Sequence, residues 1–152
     1  MFKAEQPFHR SPEDQEFAMK RLRVLVAFKG EQYSKVKRED VAGDPRLLGD
    51  KEIMVLAVSI FGGDLLQNAP EAIRDDEEIV FRACTNVHLP DRSPNDIWSA
   101  LPYASQRLKS DATFIRRIVE KTPRRPDFVE GVRRNVTKDV WEQVQNSFQQ
   151  QT

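Results

Sequence analysis

Asp50-Lys51-Glu52-Ile53-Met54-Val55-Leu56-Ala57-Val58-Ser59-Ile60-Phe61-Gly62-Gly63 is the stretch that decides how this chain folds. Asp50 places a side-chain acceptor ahead of an apolar run, and Glu52 adds negative charge where a helix start is positive. Ile53, Leu56, Ala57, Ile60 and Phe61 recur at helical spacing and predict one buried face. Gly62-Gly63 ends the run, because glycine takes the left-handed conformation at a helix C-terminus without strain.

The same opening occurs twice more. Asp76-Glu77-Glu78-Ile79-Val80-Phe81-Arg82-Ala83-Cys84 and Asp111-Ala112-Thr113-Phe114-Ile115-Arg116-Arg117-Ile118-Val119 lie in register with it. A leucine or isoleucine stands three residues before each aspartate, at Leu47, Ile73 and Leu108. Leu66-Gln67-Asn68-Ala69 matches Leu101-Pro102-Tyr103-Ala104, each ten residues ahead of its aspartate. A weaker fourth copy begins at Asp14-Gln15-Glu16-Phe17, so the starts are 36, 26 and 35 residues apart. Periods of this size mark units of two short helices that bury their apolar faces only by stacking. The second helix of the best unit runs from Leu65 to Ile73 with Pro70 inside it.

In these motifs the chain resembles the bacterial and protist tandem repeats catalogued as family 4116 of domains of unknown function. Their units read D-x-E-apolar-V, an apolar helix, a glycine, then L-x-x-A-x-x-x-L before the next aspartate. Asp50 to Asp76 fits best, with Gly62 or Gly63, Leu66, Ala69 and Ile73, and Asp76 to Asp111 fits with an insertion. The match covers about residues 47–121. In the first unit Asp40 and Gly43 replace the leucine and alanine, and the last 30 residues do not match. The resemblance implies a small all-helical repeat, carries no catalytic residue, and brings the family's occurrence in bacteria, intracellular pathogens included.

Other helix starts surround this core. Ser11-Pro12-Glu13-Asp14 and Ser93-Pro94-Asn95-Asp96 join a capping hydroxyl to a proline whose missing N–H costs nothing at a first turn. Thr137 precedes a face of Val140, Trp141, Val144 and Phe148, and Gly30 is placed to end the first helix. One segment is ambiguous. Leu22, Val24, Val26 and Phe28 alternate before Lys29-Gly30, and Tyr33 and Val36 follow, so a hairpin competes with a helix.

Composition bounds the function. The 152 residues carry 24 basic and 24 acidic side chains. Residues 1–46 sum to +2 (ten basic, eight acidic), 47–111 to −5 (six, eleven) and 112–152 to +3 (eight, five). A single cysteine excludes an internal disulfide framework and fits a reducing compartment. The longest apolar run, Ile53 to Val58, is far short of the ~20 residues that span a bilayer. The first 20 residues hold no apolar signal core, so a cytoplasmic protein is expected, or one delivered into a host cell without a visible secretory signal.

No catalytic, cofactor-binding or metal-binding residue is expected. Cys84 and His88 sit four apart, as a thiolate–imidazole pair or half a metal site would. However, Cys84 shares the register of Val58 and Val119, which reads as a small buried hydrophobe, and the only other histidine is His9. The acidic run Asp75 to Glu78 lacks the alternating ligands and central glycine of a calcium loop, and helix capping accounts for it. Between Cys84 and Leu101 the unit is about nine residues longer than its neighbour, and insertions in stacked repeats carry contacts. Trp98, Tyr103, Arg92 and Asp91 are therefore the candidate partner-binding residues, with Trp98 folding onto the core as the competing reading. Arg116, Arg117, Arg124, Arg125, Arg133 and Arg134 are candidate phosphate contacts, although Glu120, Asp127, Glu130 and Asp139 are interleaved with them.

These observations predict one all-α domain of roughly seven to nine short helices in an irregular stack of helical-hairpin repeats. It divides into a divergent first unit with an N-terminal arm (1–46), a repeat core (47–121) and C-terminal helices (122–152). The expected function is non-enzymatic: binding of another protein, as a bacterial effector or a small inhibitor. The alternative partner is nucleic acid, through the basic C-terminal third. No membrane partner is expected.

Overall fold

Side-chain acceptors fix where the helices begin. A computed structural model of the protein describes residues 11–85, 100–121 and 126–149. Among them ten α-helices form: α1 (Pro12–Lys29), α2 (Arg38–Ala42), α3 (Pro45–Leu48), α4 (Lys51–Phe61), α5 (Glu71–Arg74), α6 (Glu77–Thr85), α7 (Gln106–Lys109), α8 (Ala112–Lys121), α9 (Pro126–Arg133) and α10 (Lys138–Gln149). Three 3-10 turns, Tyr33–Lys35, Gly63–Asn68 and Leu101–Tyr103, join them, and no strand occurs among the described residues. The fold is all-α. Helices outnumber the seven to nine expected because α3, α5 and α7 are single turns of four residues, too short to show a period.

Asp50, Asp76 and Asp111 head α4, α6 and α8 with the same hydrogen bond. Each Oδ1 accepts the backbone N–H three residues on, from Ile53, Ile79 and Phe114, at 3.1 Å in every case. The buried positions then fall at identical offsets from the cap. They are Ile53, Met54, Ala57 and Val58 in α4; Ile79, Val80, Ala83 and Cys84 in α6; Phe114, Ile115, Ile118 and Val119 in α8. This face differs from the one expected for α4, where Leu56, Ile60 and Phe61 are half-buried. Helix α4 packs on α6, α6 on α8, and α8 on α10.

Backbone contacts divide the chain into two compact units, residues 1–37 and 38–152, so α2 and α3 belong with the second. The sequence instead separates its first segment at residue 46. In the second unit the stretch read as one helix from Leu65 to Ile73 is two pieces. Pro70 lacks an N–H to continue the ladder, and Ala69 before it is extended at ψ 152°. Gly62 takes φ 116° where α4 ends, and a Cβ on Gly63 would stand 2.3 Å from the Ala100 Cβ. Two short helical segments approach there at a distance only glycine permits.

The first unit holds α1 and the turn Tyr33–Lys35. The Ser11 hydroxyl oxygen accepts the Asp14 N–H at 3.2 Å, which puts the cap at Ser11 and Asp14 three residues inside the helix. The weaker fourth copy therefore does not enter its helix as Asp50, Asp76 and Asp111 do. Gly30 keeps a negative φ of −89°. Its N–H still bonds to Val26 at 2.9 Å, and the positive φ falls one residue later, at Glu31 (58°).

Candidate functional site

Residues 22–28 resolve as helix, and their alternation has a physical origin. Two residues advance a helix by about 200°, so apolar residues at every second position populate opposite faces in turn. Val24 and Phe28 are buried, with Leu25 and Ala27. Leu22 and Val26 point the other way, at 57% and 60% exposure, and Met19 joins them at 69%. Tyr33, in the following turn, is 42% exposed. The three α1 residues, spaced by three and four, form one stripe on the side away from the helix's buried face.

This stripe floors an open groove of about 690 Å³. Glu16, Lys20, Arg23, Ala27, Gln32 and Lys35 complete its lining. An exposed apolar strip among polar side chains has the composition of a contact surface.

The sequence-predicted partner residues Trp98, Arg92 and Asp91 lie outside the described residues, as do His88, Arg124, Arg125 and the Ser93 helix start. Tyr103 is half-buried in the turn Leu101–Tyr103. The four described arginines of the basic third are each matched to carboxylates. Arg116 bonds to Glu120 at 2.6 Å and lies over the Phe148 ring. Arg117 reaches Glu77 at 3.9 Å and lies over Phe81. Arg133 and Arg134 share Glu130, which keeps the Glu130 carboxyl below its ordinary range through the Arg133 hydrogen bond and both guanidinium charges. Such pairing cancels much of the field that phosphates would follow.

The acidic run is used inside the fold. Asp75 accepts the Ser105 hydroxyl at 2.5 Å and Arg107 Nε at 2.8 Å. The hydroxyl, then the guanidinium, hold its carboxyl below the usual aspartate value. Ser105 is buried, caps α7 through the Leu108 N–H, and donates its own N–H to the Arg74 carbonyl at 2.9 Å. Asp76 pairs with Lys51 at 3.0 Å, and Glu78 with Arg82 at 3.8 Å. Asp64 is held by both Arg38 amino groups, at 3.0 and 2.7 Å. Cys84 is buried, and loss of water contact pushes its thiol up to about 12, the environment of a small packed hydrophobe. No group of three or more His, Cys, Asp or Glu among the described residues is arranged to hold a metal ion.

No family model, curated protein or solved structure matches the chain. No helix among the described residues is long and apolar enough to cross a membrane.

Proposed function

We propose that this protein is a non-enzymatic protein-interaction module, an effector or small inhibitor that acts by binding another protein. Its helices stack as irregular repeats in the manner of the 4116 family. The observation that carries this reading is the apolar stripe of α1, where Met19, Leu22 and Val26 are 57–69% exposed on a helix that already has a buried face. Met19, Leu22 and Val26 leave more than half of their surface in water in the folded chain, and contact with a partner would remove that apolar surface from solvent. The carboxylate pairing of Arg116, Arg117, Arg133 and Arg134 weighs against the nucleic-acid alternative.

The test compares proteins retained from an extract of the source cell by the wild type, by a Met19→Gln/Leu22→Gln/Val26→Gln variant and by Trp98→Ala. A protein held by the wild type and released by the triple variant, with circular dichroism unchanged, supports the reading. Retention by the triple variant with release by Trp98→Ala moves the contact to the inserted segment. Identical retention by all three contradicts both surfaces.

A further inference from the structure

We draw no further inference here: the strongest candidate, the exposed apolar stripe of Met19, Leu22 and Val26 on α1 with its groove, carries nothing beyond the reading above, because nothing in the structure shows what covers it.

Discussion

Helices α1 and α8 carry similar apolar residues and use them differently. In α8, Phe114, Ile115, Ile118 and Val119 are all buried, while Thr113, Arg117, Glu120 and Lys121 face solvent. In α1, one set of apolar residues is buried and a second set, Met19, Leu22 and Val26, is exposed. The difference shows that burial follows distance from the cap in α4, α6 and α8, where the third, fourth, seventh and eighth residues after the aspartate turn inward. Counted from Ser11, the same offsets of α1 fall on Asp14, Gln15, Ala18 and Met19, none of which is buried. Apolar residues in α8 therefore hold the fold, and the outward ones in α1 are available for contact.

The sharpest way to break this contrast is truncation. Phe114→Ala is expected to cost about 3–5 kcal/mol in urea unfolding, through lost burial and the cavity left behind. Leu22→Ala should stay within ~0.5 kcal/mol. Comparable losses at the two positions would erase the distinction between the helices.

A smaller loss is expected where the second unit is tightest. Gly63→Val would force a side chain against the Ala100 Cβ and backbone, and overpacking of this kind costs about 1–3 kcal/mol. A thermal melt equal to the wild type would show that Gly63 and Ala100 do not meet.

The caps come next. Asp50→Ala, Asp76→Ala and Asp111→Ala should each cost about 1 kcal/mol, since each removes one N-cap hydrogen bond. Asp14→Ala leaves the Ser11 cap hydrogen bond in place and should cost less than any of the three cap substitutions. Equal effects at all four would restore Asp14 as an equivalent entrance.

The smallest effect concerns acid. The folded Asp75 carboxyl titrates below its unfolded value, so its contribution is complete above that value and lost as pH falls through the folded one. Asp75→Asn should therefore flatten part of the decline in melting temperature below about pH 4. A wild-type slope in the variant would place the acid sensitivity elsewhere.

The caps were legible because they are local chemistry: an aspartate and the N–H three residues on lie within one turn. Cys84 was legible for a related reason, as its register with Val58 and Val119 carried its burial. The short helices α3, α5 and α7 were not, since four residues show no periodicity. The second face of α1 was hidden by geometry, because apolar residues 200° apart imitate the alternation of a strand. The pairs of Arg116 with Glu120 and of Arg133 and Arg134 with Glu130 lie within one helical turn and were visible as interleaved charges. Arg117 to Glu77, 40 positions apart in the sequence, depends instead on tertiary distance. Hence the exposed apolar stripe of α1 emerged only once helix and exposure were seen together.

Equilibrium denaturation of Leu22→Glu/Val26→Glu beside Val24→Ala/Phe28→Ala tests the spare face of α1 most directly. The account predicts that the first pair unfolds within ~0.5 kcal/mol of the wild type, while the second loses several kcal/mol. If two glutamates on the outward stripe destabilise the chain as much as truncating the inward residues does, that stripe is core, and no docking surface exists there.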